Sequence, residues 1–192
     1  MAPAFIFDAD AFNFLCALRV MDALTEPLRD HRLALHFVQH VAREIKGPNR
    51  DLIDRLEKQG SAHIHRFRPS DAAGRRFENL MKDRRKAKGG PVHTGECATV
   101  AWALASGDSS PIVVAEKAGR LFTQSAGLTA FRIDEFTFEC VRLGLLEGVS
   151  AAAHLERWQS TQGRPPNFDF DAGLATHIRT REAGNQPTSP EG

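Results

Sequence analysis

With 192 residues, 42% hydrophobic and 26% charged, the chain has the length and composition of one soluble globular domain with a tail. Its net charge of +1 excludes a global pull toward nucleic acid or membrane, so any such affinity has to come from local patches. Cys16, Cys97 and Cys140 lie far apart in apolar helical patterns, which excludes a disulfide framework and a cysteine metal motif and fits a reducing cytoplasm. The first residues carry no basic segment followed by a long apolar run, so neither a signal peptide nor a membrane span is expected.

Ala4-Phe5-Ile6-Phe7 is a short apolar run ending in Asp8, the pattern of a central strand covered on both faces. An acid at its carboxyl end projects into the crevice where open α/β sheets place their sites. Asp10 is expected to cap the next helix, whose Phe12, Leu15, Cys16, Leu18 and Met21 are apolar nearly all round, with Pro27 near its end. Leu33 to Phe37 predicts a second strand, followed by a turn or helix through Glu44 that Gly47-Pro48 closes. His36, His40 and Glu44 are four apart and would share a metal-binding face only if one helix carried all three. Asn49 is expected to cap a helix running to about Gln59.

Ala62 to Phe67 alternates and predicts an edge strand whose second face carries His63, His65 and Arg66. The paired histidines read as an exposed strand face rather than as ligands. From Asp71 to Gly90 a charged helix holds seven basic residues, Arg75, Arg76, Lys82, Arg84, Arg85, Lys86 and Lys88, against Asp71, Glu78 and Asp83. Such a run is often a solvated face, but this one leads directly into the next motif, where phosphate-backbone contacts are equally plausible chemistry.

That motif is His93 to Ala105. As a helix it aligns Cys97, Val100, Ala101 and Leu104 in a core-facing stripe, with Thr94 able to cap and Gly95 permitting close approach. Glu96 then sits at the positive end of the helix dipole. Alone, a first-turn glutamate is ordinary helix chemistry. Ile112-Val113-Val114 predicts another buried strand, ending at Glu116, and Lys117 to Phe122 a short helix. Ala130 to Ile133 predicts a last strand, followed by helices over about 135–146 and 150–159. Beyond Thr161 only Ala172 to Arg179 has a helical pattern, and Ala183 to Gly192 is expected to be disordered.

Alternating strands and helices imply a mostly parallel sheet whose carboxyl ends gather at one edge. Asp8, Glu44, Glu96 and Glu116 would meet there and repel one another unless a divalent cation sat among them. Hard oxygen donors suit Mg²⁺ or Mn²⁺, which activate water for in-line attack on a phosphodiester.

Phe5 to Asp8, Val41 to Glu44, Gly95-Glu96 with its small-residue helix to Ala105, and Ile112 to Arg120 together resemble the four signature segments of PIN domains, over about residues 4–160. Among these, the chain looks most similar to VapC-type toxins and their relatives. The resemblance implies a three-layer α/β/α sandwich over residues 1–160, with residues 161–192 a largely flexible extension. It also implies a cytoplasmic Mg²⁺- or Mn²⁺-dependent endoribonuclease, the toxin of a type II toxin–antitoxin pair. Asp8, Glu96 and Glu116 would hold the metal, with Glu44 a further ligand or water-orienting base. Arg75, Arg76, Arg84, Arg85, Lys88, Lys117 and Arg120 would contact RNA. A homodimer and an antitoxin partner are implied by resemblance only. Glu116 stands where the family usually has Asp, and Ala115 replaces a polar neighbour. The extra methylene shifts the carboxylate by about an ångström, a displacement that costs on the order of a hundredfold in rate. The alternative is therefore a catalytically weak PIN-like module that binds RNA or a protein; Asp108 and Asp134 lie near the same edge. A phosphatase or nucleotide binder fits less well, because no Gly-rich phosphate loop follows the first strand.

Overall fold

The computed structural model describes residues 2–88, 93–161 and 169–184. The chain divides into two compact units, Met1–Ile133 and Asp134–Gly192. The first begins with β1 (Ala4–Phe7), the short helices α1 (Ala9–Ala17), α2 (Val20–Ala23) and α3 (Thr25–Arg29), and β2 (Ala34–Val38). It continues through α4 (Gln39–Glu44), α5 (Gly47–Lys58), β3 (Ala62–His65) and the long α6 (Ala72–Lys88). Helix α7 (Thr94–Ser106), β4 (Ile112–Val113), α8 (Lys117–Ser125) and β5 (Ala130–Phe131) complete it.

All strand pairs are parallel, in the order β3-β2-β1-β4-β5. The chain winds outward from β1 on one side to β3, then crosses to β4 and β5 on the other. The winding reverses between β1 and β4, and in open parallel sheets the crevice at such a reversal is where ligands bind. The backbone N–H of Asp8 donates to the Val113 carbonyl at 3.0 Å, so the ends of those two strands are tied together at the reversal.

Strand residues alternate between two buried faces. One face stacks phenylalanines: Phe7 lies 5.7 Å from Phe37, and Phe12 of α1 closes over both, 6.1 Å from Phe7 and 5.0 Å from Phe37. The other face presents Ile6, Ile112 and Ala130 to Val100 and Ala103 of α7, with Leu80 of α6 and Phe122 of α8 at its margin. The small residues of α7 are buried from Gly95 through Ala101, so this helix approaches the sheet and α6 closely. The result is the α/β architecture of parallel type expected from the alternating pattern, with helices covering both faces of a five-stranded sheet.

Several local expectations give way to backbone detail. The apolar helix after Asp8 is broken into three: Arg19 adopts a left-handed conformation (φ 64°) between α1 and α2, Leu24 separates α2 from α3, and Pro27 lies inside α3 rather than at the end of a longer helix. Gly47-Pro48 opens α5 instead of closing the preceding helix, with Lys46 at the N-cap and proline in the first turn where its missing N–H costs nothing. Asn49 consequently does not cap; its amide donates to Asn13 Oδ1 at 2.9 Å. His36 lies on β2 while His40 and Glu44 lie on α4, so the three share no helix face. No described helix is long and apolar enough to cross a membrane.

The second unit is helical, with α9 (Ile133–Arg142), α10 (Gly148–Thr161) and α11 (Phe170–Gly184). Ile133 opens α9 rather than ending a strand, and α11 extends well beyond the helical turn expected over Ala172 to Arg179. Residues 185–192 of the tail expected to be disordered lie outside the described residues. Glu139 of α9 is buried and holds α11: Arg142 donates to it twice, at 2.8 and 2.7 Å, and His177 Nε2 lies 2.9 Å away, with Arg181 at 3.6 Å. Phe138 packs edge-on against Phe170 at 5.4 Å. Burial opposes ionisation of Glu139, but the hydrogen bonds from Arg142 and His177 and the nearby cations outweigh it and hold the carboxyl at about 2. A carboxyl whose folded pKa lies below its unfolded value adds stability above about 4.5 that is lost as pH falls toward 2. Glu139→Gln is therefore expected to cost about 2 kcal/mol at neutral pH, the scale of hydrogen bonds to a charged group, and to speed amide exchange in α11 first. The deficit should shrink as pH is lowered through that window. Urea denaturation at several pH values with exchange mass spectrometry checks both.

Candidate active site at the carboxyl edge of the sheet

Four chain segments deliver carboxylates to one place. Asp8 is the residue between β1 and α1, at the N-cap position but with no side-chain capping hydrogen bond, so its carboxylate remains turned to the crevice. Glu116 holds the equivalent position between β4 and α8, again without a capping bond. Glu44 ends α4, and Glu96 lies in the first turn of α7. All four line a cavity of about 200 Å³ together with Asp10, His93, Thr94 and Gly95.

The crowding has a measurable electrostatic consequence. Burial, then the neighbouring charges of Asp10, Glu96 and Glu44, push Asp8 up to about 7. Burial and Asp10 likewise raise Glu44, only partly offset by the hydrogen bond it accepts from the Gly95 backbone N–H. That bond needs glycine: a Cβ at Gly95 would come within 3.0 Å of Glu44 Oε2 and 3.2 Å of Val41. A second glycine makes room from the other side, since a Cβ at Gly119 of α8 would stand 2.7 Å from Glu96 Oε1.

Glu96 is compensated differently. Arg84 of the basic helix α6 reaches it with a 2.6 Å charge-assisted hydrogen bond, both side chains being largely buried. The guanidinium also lies over the Phe122 ring, 4.1 Å from its centroid, a stacking that arginine makes better than lysine. The internal cation thus meets the innermost acid, while Asp8 is left to carry the repulsion. Among the described residues, no three His, Cys, Asp or Glu side chains are already drawn together as metal ligands. Apart from His93, the side-chain donors along the cavity are nevertheless hard oxygens, the kind that suits Mg²⁺ or Mn²⁺.

The basic residues divide. Arg84 is in the site itself. Arg76, Arg85 and Lys117 are exposed, and Arg75 is turned back to the Ser70 carbonyl. Arg120 is half-buried on α8, and the side chain of Lys88 lies outside the described residues. Asp108 does not join the acids; it lies 3.4 Å from His36 Nδ1. Asp134 belongs to the second unit. Asp10 was expected as a helix cap and instead sits within the first turn of α1, lining the cavity beside Asp8. Its spacing of two from Asp8 across a strand–helix junction was the available signal. Thr94 also does not cap: α7 starts at Thr94 with His93 in the cap position.

No protein-family model matches the chain, and no curated protein matches it.

Because Asp8 takes a proton more readily folded than unfolded, its ionisation is a cost to the fold that grows as pH rises from about 4 through 7. Asp8→Asn removes that cost while keeping the side-chain shape. It is expected to raise Tm at pH 8 by roughly 2–4 °C, the change that about 1 kcal/mol makes in a chain of this size, and to leave Tm nearly unchanged at about pH 4, close to the ordinary carboxyl value of 3.8. Paired thermal melts at the two pH values check the sign.

Proposed function

We propose that this protein is a PIN-like, Mg²⁺- or Mn²⁺-dependent endoribonuclease. One observation carries the reading: four carboxylates from four separate segments line one cavity at the winding reversal of a parallel sheet, where burial, with the charges of Asp10, Glu96 and Glu44 beside it, holds Asp8 at about 7. A group of acids that the fold stabilises so poorly is the kind of arrangement kept for function rather than for stability. Asp8, Glu96 and Glu116 would hold the cation, and Glu44 would act as a further ligand or orient the attacking water. The cation would supply a more acidic water and a counter-charge to the phosphate oxygens. Exposed Arg76, Arg85 and Lys117 would hold the RNA backbone, a contribution that weakens with salt. A toxin role, with an antitoxin partner and a homodimer, is the finer form of the same proposal and rests on the resemblance of the signature segments. So does placement in the cytoplasm.

A second reading, a PIN-like module that binds RNA or protein with little cleavage, draws on two features. Arg84 already neutralises Glu96, and Glu116 is a longer acid than the signature expects. Cleavage of a panel of structured and single-stranded RNAs with Mg²⁺, Mn²⁺ or EDTA separates the readings. The nuclease reading expects metal-dependent cutting that falls at least a hundredfold in both Asp8→Ala and Glu96→Ala. Absence of cutting by folded protein with every metal, beside retained RNA binding, selects the second.

The Arg84–Glu96 pair yields its own expectation. If Glu96 is a ligand, the guanidinium competes with the cation for it. Arg84→Gln should then tighten Mn²⁺ binding about tenfold, the equivalent of one charge-assisted hydrogen bond. Calorimetry reads this without any RNA, and unchanged affinity would remove Glu96 from the ligand set.

A further inference from the structure

The face of the sheet that packs under α7 is apolar at β1, β4 and β5 but not at β2 and β3. There the same face carries His36 on β2 and His63 and His65 on β3, with His36 and His63 in direct register. Residues two apart on a strand point to one side, and a register partner on the next strand joins them. The three rings accordingly cluster, with centroids 5.2 Å apart for His36 and His63, 4.8 Å for His36 and His65, and 6.5 Å for His63 and His65. Trp102 of α7 stacks on His65 at 3.9 Å and fixes its plane. Asp108, just past the end of α7, stands 3.4 Å from His36 Nδ1.

Packing alone does not account for this choice of residues. The opposite face fills comparable positions with Phe7 and Phe37, which leave no polar atom behind. Here, His65 Nε2 is buried with no hydrogen-bond partner, and the buried His36 Nδ1 has the carboxylate of Asp108 beside it, at 3.4 Å. An unsatisfied buried polar group costs on the order of 1–3 kcal/mol.

We propose that His36, His63 and His65 form a binding site for a borderline transition-metal ion of the Zn²⁺ or Co²⁺ class, with Asp108 as the carboxylate that orients His36. Imidazole nitrogens about 2.0–2.1 Å from one such ion place neighbouring ring centroids roughly 5 Å apart, the spacing that His36 already keeps to both partners. The ring nitrogens do not converge on one point as described. His63, exposed on the edge strand, is the ring free to turn inward, while His36 and His65 stay where Asp108 and Trp102 hold them. A ligating histidine ordinarily gives its other ring N–H to a carboxylate, and His36 has Asp108 in that place. Three protein ligands leave a fourth position for water. The site is separate from the acid cavity: α7 runs between them, with Glu96 in its first turn and Asp108 beyond its last, about 18 Å at 1.5 Å per residue.

The test is titration of the full chain with Co²⁺, read by visible absorption, together with Zn²⁺ calorimetry. Wild type is expected to bind one equivalent with the intense bands of a four- or five-coordinate ion. His63→Ala and His36→Gln should each weaken Co²⁺ at least tenfold, and Asp108→Asn roughly 10–100-fold. Glu96→Gln and Glu116→Gln should leave the spectrum unchanged, which keeps this site apart from any cation bound by the acids. No visible band in wild type overturns the proposal, as does a band that survives both histidine variants or one lost only in the acid variants. His63 is exposed, so His63→Ala decides the matter even if His36→Gln fails to fold.

Discussion

The backbone bond from Asp8 N–H to the Val113 carbonyl joins two strands whose connections leave in opposite directions, and much of the first unit's chemistry depends on it. Because β1 and β4 are parallel and adjacent, both must end at the same edge, and each is followed at once by a helix. The residues at those junctions, Asp8 and Glu116, are therefore brought together by topology and not by any attraction between them. Glu96 arrives on the helix that precedes β4, and Glu44 on the helix that follows β2. The fold buries Asp8 among like charges, and the cost, from burial first and then from those charges, appears as the proton that it retains up to about 7.

Relief of that cost is uneven. Glu96, the most enclosed of the paired acids, has Arg84, whose guanidinium is in turn seated on Phe122. Glu44 has only the Gly95 amide. The two glycines, 95 and 119, stand where a methyl group would press on Glu44 and Glu96. They belong to the site as much as the acids do, since without them the carboxylates would be forced outward. A basic helix that looks from its composition like a solvated face thus contributes one residue to the interior of the site and keeps others at the surface.

Fold class was legible because its signals are collective. The short apolar runs at residues 4–7 and 112–114 and the turn residues between helices each point weakly to the same parallel sheet, and they agree. The meeting of the acids was legible for a related reason: Asp8 and Glu116 follow strands, Glu96 starts a helix and Glu44 ends the one after β2, positions that a parallel sheet gathers at one edge. Side-chain pairing was not. Nothing in the spacing of Arg84 and Glu96 tells that Arg84 turns inward, because that depends on how closely α6 and α7 pack. Gly47-Pro48 misled because the pair is both a stop and a start signal; only the preceding extended residue, Lys46, decides which. Asp10 misled because an acid near a strand end serves as a cap or as a site residue, and one residue of register separates the two.

The histidines show the same limit more sharply. His63 and His65 in sequence are an alternating strand, and His36 is a lone residue in another. Only the register of β2 against β3 sets all three on one face, and only the position of α7 makes that face a covered one. Two faces of one sheet then carry different chemistry: phenylalanines that need no partner, and imidazoles whose nitrogens do. Burial of a group that needs a partner is tolerable where a partner is supplied, by protein, water or ion. On the acid edge the same logic runs with the opposite sign. There the carboxylates crowd together, and the guanidinium of Arg84 pairs with Glu96 rather than with Asp8. In both places, it is the direction of the imbalance that the two proposals follow: a hard cation proposed among oxygens at the strand ends, and a borderline cation proposed among nitrogens beneath α7.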